Sequence, residues 1–276
     1  MAADAPALRP LARGHLNFRA RVRTRDEVGA LAADFNHMAE TIDTGVSELQ
    51  QSVERQERFM GSFAHELKTP MTSIIGYADL LRTQSLSADE QMDAANYIFS
   101  EGKRLEALSL KLLELLVTKN SKPAFTAAEP AQLIAALTAQ LRPVYAEQSI
   151  RLLNQGAPGW CMMEPDLVRS LLLNLIDNAR KALESGGTIR IVSEMTASGC
   201  RIRVADNGRG MPPEAIAHLT EAFYRVDKAR SRAQGGAGLG LTLCNEIARL
   251  HGGTLSFDSR LNAGTTVTVT LNGGVV

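Results

Sequence analysis

The sequence predicts an all-α helical hairpin that pairs with a second copy into a four-helix bundle, followed by an α+β sandwich domain. Three observations predict it. Long apolar heptad seams fill residues 26–118. Strand-like alternation of apolar and polar residues appears after residue 123, where most of the glycines also lie. The polar segment Asn120-Ser121-Lys122-Pro123, ending in a helix breaker, separates the two textures.

The first seam is Val28, Leu31, Phe35, Met38 and Ile42, spaced 3, 4, 3 and 4. A second seam begins at Val46. Steps of seven from 46 give 53, 60, 67, 74 and 81 as one apolar row. Steps of seven from 49 give 56, 63, 70 and 77 as the other, with Gln56 and Pro70 as exceptions. Ile42 to Val46 is four residues where three is due, so the spacing predicts a stutter that locally unwinds the helix. A later helix carries Ile98, Leu105, Leu108, Leu112 and Leu115. Thr83–Asp89 between them is polar, and Ser87 with Glu90 reads as a capping box. The prediction is a hairpin over 46–118. One hairpin cannot bury both stripes alone, so a homodimer is expected.

In the second half, 188–193, 201–205, 254–257 and 265–271 alternate as half-buried antiparallel strands do. Helices are expected at 130–141, 165–184 and 239–250, with Gly252 as the C-terminal cap of the last. The predicted layout is helices covering one face of a mixed sheet.

Composition narrows the function. The 276 residues allow one to three compact units, and 45% hydrophobic content excludes a disordered chain. Thirty Lys+Arg balance 30 Asp+Glu, which argues against a nucleic-acid surface. Cys161, Cys200 and Cys244 form no C-x-x-C pair, so neither a zinc site nor a disulfide framework is indicated, and a reducing compartment is expected. No run approaches the ~18 apolar residues of a membrane span. The first residues lack the basic and apolar regions of a signal peptide. As given, the chain is expected to be soluble.

Three segments point to chemistry. On the heptad grid Leu67 is a, Glu66 is g and His65 is f, the position farthest from the seam. A carboxylate next to an imidazole orients its tautomer and accepts its proton. Pro70 removes a backbone N–H and clashes with the Glu66 carbonyl, loosening the helix at His65, or it is simply a tolerated kink. Next, Asn174 and Asn178 are i and i+4, and Lys181 shares their face. Two amides and an ammonium on a Leu-rich helix suit a magnesium ion with nucleotide phosphates, although they also read as loop caps. Finally, Asp206-Asn207-Gly208-Arg209-Gly210 follows a strand, and Gly236-Ala237-Gly238-Leu239-Gly240 opens a helix. Glycines let backbone approach phosphate at a helix N-terminus. The first run alone is also an ordinary turn. The second is not a Walker loop, because no G-K-[ST] follows, nor a dinucleotide fingerprint, because no strand immediately precedes it.

The run from Phe63 through His65-Glu66-Leu67-Lys68-Thr69-Pro70 to Ile74 resembles the phospho-acceptor box of two-component sensor histidine kinases. The Asn174–Lys181 segment and the two glycine runs resemble the asparagine and glycine boxes of that family's ATP-binding domain, of the histidine kinase, gyrase and chaperone type. Phe223-Tyr224-Arg225 and the cations after it, which alone could be a solvated loop, resemble its phenylalanine box and lid. Asp26–Met38 resembles the second helix of a HAMP domain whose first helix is truncated before Gly14.

The resemblance implies a protein-histidine kinase. His65 would be phosphorylated from ATP and would pass the phosphoryl group to an aspartate in the receiver domain of a response regulator. Glu66 would be the acid/base partner, and Thr69 would orient water when that regulator is dephosphorylated. Asp206 would accept from the adenine amino group. Asn178 would coordinate Mg2+ with help from Asn174, and Lys181 would contact phosphate. Arg225 would border the γ-phosphate, and Gly208, Gly210, Gly236, Gly238 and Gly240 would shape the pocket and lid. The implied domains are 1–45 (partial HAMP), 46–120 (dimerisation and phospho-acceptor) and 121–276 (ATP-binding). HAMP domains follow membrane helices, so the expected setting is the cytoplasmic portion of a bacterial inner-membrane sensor. The competing readings are a gyrase- or chaperone-type ATPase, which leaves the His65 segment idle, and a non-catalytic signalling scaffold.

Overall fold

The computed structural model describes residues 19–20, 26–184, 186–227 and 237–275. The expected first HAMP helix and the loop 228–236, which includes Lys228, Arg230, Arg232 and Gly236, lie outside the described residues. The chain divides into two compact units, 1–62 and 63–276.

In the first unit, helix α1 (Glu27–Thr83) begins where the Asp26 carboxylate accepts the Gly29 N–H at 3.1 Å. The Asn36 side chain exchanges two hydrogen bonds with the backbone of Ala20, at 2.7 and 2.9 Å. Seam residues Val28, Leu31, Met38, Ile42, Val46, Leu49 and Val53 are exposed on this single chain. The predicted unwinding at 42–46 is not seen, because α1 continues through it. A four-residue spacing in place of three changes the phase of the apolar stripe without removing any backbone hydrogen bond.

The second unit holds the end of α1 and helix α2 (Ala88–Asn120), which together form the expected hairpin. The capping box is present: Ser87 Oγ accepts the Glu90 N–H, and Glu90 accepts the Ser87 N–H at 2.9 Å. Tyr77 and Tyr97 stack across the hairpin with centroids 4.6 Å apart, and Leu108 and Leu115 are buried. Pro70 is buried within continuous helix.

Beyond the linker come β1 (Thr126–Ala128), α3 (Pro130–Glu147), β2 (Ile150–Gly156), β3 (Cys161–Met163) and α4 (Pro165–Ala182). They are followed by β4 (Gly187–Thr196), β5 (Gly199–Asp206), α5 (Pro213–Ile216), α6 (Gly240–Leu250), β6 (Leu255–Arg260) and β7 (Gly264–Leu271). The main sheet has the order β2-β4-β5-β7-β6, and β1 and β3 form a separate antiparallel pair. The four predicted strands are all present, and each pairs antiparallel with its neighbours among them. The sequence reading missed β2, which pairs parallel to β4. It buries only Ile150 and Leu152 before turning outward, so no sustained alternation marks it. Helix α3 runs past the predicted end and through Pro143, and the buried Tyr145 anchors the extra turn.

The core is the layer between sheet and helices. Ile189 and Ile191 of β4, Ile202 and Val204 of β5, and Val269 and Leu271 of β7 supply one side. Leu171, Leu172, Leu175 and Ile176 of α4, with Leu243 and Ile247 of α6, supply the other. Gly252, at φ +62°, ends α6 as predicted. Cys161, Cys200 and Cys244 are free thiols fully buried in this layer. Burial pushes the Cys244 thiol up to about 12.

Candidate active site

Helix α4 presents the first part of the site. Val168, Leu171, Leu172, Leu175, Ile176 and Ala179 make its buried stripe. That stripe leaves Asn174, Asp177, Asn178 and Lys181 half-buried along its flank. They line a cavity of about 400 Å³ that is also walled by Asp206, Gly210, Arg225, Gly238 and Gly240. Glu66 on α1 and Arg104 and Lys111 on α2 line it too.

Asp206 ends β5. Its Oδ1 accepts the backbone N–H groups of Gly208 at 2.9 Å and Thr265 at 3.3 Å. Burial pushes its carboxyl above the usual range, and those two donors only partly offset it. Gly208 shapes the turn from behind: a Cβ there would stand 2.6 Å from the Ala182 carbonyl oxygen. At Gly210, with φ +63°, a Cβ would collide with the Arg260 carbonyl. Gly238 has φ +72°, and a Cβ there would lie 2.8 Å from the backbone of Phe223. Phe223 is itself at φ +66° and donates its N–H to the Gly238 carbonyl at 2.9 Å. The phenylalanine and second glycine runs are therefore locked together through backbone. A Cβ on Gly240 would approach Asn174 Oδ1 to 3.2 Å.

One expectation is corrected. Glu66 does not bond His65. It accepts from Arg225 on one oxygen and from Arg104 on the other, the latter at 3.4 Å. Its g position turns the carboxylate inward, where two guanidinium groups hold it more strongly than a surface imidazole would. Lys181 is paired as well: its Nζ lies 2.6 Å from Asp177 Oδ2, one turn back on α4. Burial of Asp177 opposes ionisation, but Lys181 and Arg180 overcome it and hold this carboxyl below its ordinary value. His65 is exposed, as its f position predicts, and stands outside the cavity lining, as does Thr69. The Thr69 hydroxyl donates to the His65 carbonyl at 3.3 Å.

Family models match three consecutive stretches. Residues 7–44 match the HAMP domain and 55–116 the His Kinase A phospho-acceptor domain. Residues 163–274 match the histidine kinase-, DNA gyrase B- and HSP90-like ATPases. The chain belongs to the sensor histidine kinases.

Curated relatives of the chain include histidine protein kinase DivJ of Caulobacter vibrioides, 30% identical over 244 residues, covering 85% of this chain and 40% of DivJ. Sensor protein SrrB of Staphylococcus aureus is 31% identical over 219 residues, 77% of this chain and 37% of SrrB. The chain thus spans about two fifths of the length of these relatives. Among solved structures, histidine kinase ThkA in complex with response regulator protein TrrA aligns with a TM-score of 0.62 at 22% identity, over 82% of this chain and 66% of that one. Full-length ShkA in complex with AMPPNP aligns with a TM-score of 0.55 at 22% identity, over 80% of this chain and 47% of that one. These likenesses show the fold.

The donor set of this cavity fits a nucleotide with a hard cation. Asn178 Nδ2 is buried and has no hydrogen-bond partner among the described residues. Buried amides are seldom left so unless a ligand completes them. Asn174 anchors its own Nδ2 on the Ser170 carbonyl at 2.8 Å, which leaves its oxygen turned toward Gly240. The described residues contain no group of three or more His, Cys, Asp or Glu that could hold a metal. A cation here would therefore be held by amide oxygens and phosphate. The sequence reading missed Asp177, Arg104 and Lys111. Asp177 lay inside the asparagine run and signalled itself only by its i+4 spacing to Lys181. Arg104 and Lys111 stand seven apart on one face of α2 with no motif around them.

Proposed function

We propose that the chain is the signalling output of a two-component sensor: an ATP-dependent kinase that phosphorylates its own His65 and passes the phosphoryl group to an aspartate of a response regulator. The observation that carries this reading is the wall of the cavity. The side chains suited to nucleotide and cation share it with Glu66, the residue next to an exposed histidine.

In this reading Asp206 accepts from the base, Asn174 and Asn178 hold Mg2+, and Lys181 and Arg225 face the phosphates. The magnesium ion, when bound, neutralises phosphate charge. An imidazole nitrogen of His65 attacks the γ-phosphorus, the P–N bond forms as the bond to the β-phosphate oxygen breaks, and ADP leaves. Glu66, once released from Arg225 and Arg104, takes the imidazole proton. The rate comes from positioning and charge neutralisation. His65 lies outside the cavity lining, so the nucleotide domain shifts along the hairpin before transfer. The exposed seams of α1 support a homodimer that buries them. Among the described residues no helix is long and apolar enough to cross a membrane. The HAMP match supports a link to a membrane-borne sensor, with this part on the cytoplasmic side.

The test is incubation with radiolabelled ATP and magnesium. Acid-labile, alkali-stable label that disappears in His65→Gln is expected, and label surviving that substitution overturns the assignment. The family's phosphatase role is proposed for Thr69. Thr69→Ala should spare autophosphorylation and slow loss of phosphate from the regulator; an unchanged rate of loss removes that role.

A further inference from the structure

The clamp on Glu66 is buried. The Glu66 side chain is 11% exposed, Arg225 is 5% and Arg104 is 18%. The partners come from a helix 38 residues away and a loop 159 residues away. Desolvating a carboxylate between distant cations gives little net stability, so stability alone is a weak reason for the arrangement. All three side chains line the cavity that holds Asn174, Asn178 and Asp206. Two guanidinium groups converging on one anion is also how proteins recognise phosphate.

We infer that Arg104 and Arg225 form a two-guanidinium site for the terminal phosphate of the nucleotide, and that Glu66 fills it as an internal anion which that phosphate must displace. The inference rests on the nucleotide reading above and adds to it. Arg104 becomes a nucleotide contact supplied by the acceptor hairpin, outside the ATPase module. Lys111, paired with Glu114 at 2.8 Å, extends the same cationic wall. Displacement ties occupancy to release of the carboxylate beside His65. A triphosphate frees Glu66, whereas a diphosphate has no terminal group to put in its place and leaves it clamped.

The experiment is calorimetric titration of the full chain with a nonhydrolysable ATP analogue and with ADP, both with magnesium. Glu66→Gln keeps the shape and removes the charge. It should bind the analogue about tenfold more tightly, the scale of one charged contact, with ADP affinity changed by less than about twofold. Arg104→Ala should weaken the analogue selectively, Arg104→Lys should recover part of the loss, and the gain from Glu66→Gln should shrink in the Arg104→Ala background. If Glu66→Gln binds the analogue no more tightly than the parent, or gains equally for ADP, the internal-anion assignment is wrong while the nucleotide site stands. If the parent binds neither nucleotide, both readings fall.

Discussion

Replacing Asp206 by asparagine separates the site from the fold. Asp206 Oδ1 already accepts two backbone N–H groups, from Gly208 and Thr265. An asparagine oxygen can accept both, so the turn after β5 survives. The other carboxylate oxygen becomes an NH2 donor, and a base amino group that needs an acceptor meets a donor instead. A hydrogen bond to a charged group is worth about 1.5–3 kcal/mol, so affinity for an ATP analogue should fall roughly 10- to 150-fold. The chain without nucleotide should not suffer. Burial raises the Asp206 pKa, so between about 3.9, the ordinary value, and the raised one the native state binds more protons than the unfolded state. Its contribution to stability is therefore complete below that window and is lost as pH rises through it, and the Asp206→Asn substitution removes that loss. Calorimetry at neutral pH and a urea melt without nucleotide test the pair of outcomes. Affinity within about twofold of the parent, or a lower urea midpoint, refutes the reasoning. In the parent, nucleotide affinity should fall as acidification protonates Asp206, and the variant should lose that dependence.

Three further outcomes are expected. Asn178→Ala removes an amide with an orphan nitrogen, so the urea midpoint should hold within about 1 kcal/mol while ATP labelling disappears, measured on the same preparation. Gly238→Ala forces a Cβ onto the Phe223 backbone at φ +72°, which should cost at least ~1 kcal/mol in the melt and weaken analogue binding. His251 accepts the Glu164 N–H on Nε2 at 3.1 Å and donates from Nδ1 to the Ile247 carbonyl at 2.8 Å, and burial lowers its pKa. Its contribution should be complete above about pH 6.5 and be lost as pH falls through the lowered value, so the parent's midpoint should drop with acid more steeply than that of His251→Gln.

What the sequence disclosed follows physical range. The strands 188–193, 201–205 and 265–271 announced themselves because each has one face on the core, and alternation records that directly. Strand β2 did not, because it leaves the core after two inward residues. The asparagine and glycine runs were legible because backbone geometry and helical spacing confine them to a few consecutive positions. The partners of Glu66 were not legible: a pairing across 38 or 159 residues depends on how α2 and the Phe223 loop pack against α1, and no local pattern encodes that. The face of Lys181 follows from helical spacing, whereas its pairing with Asp177 depends on which of several polar neighbours one turn away the ammonium meets.

All three native thiols are sealed in the core of the ATPase layer, and the Cys244 sulfhydryl stays protonated at neutral pH. An engineered cysteine at an exposed helical position such as Met71 or Leu113 would therefore be the sole fast-reacting handle for a maleimide dye. Dye pairs or spin labels could then report the hairpin's movements in real time, with no need to strip out the native sulfur first.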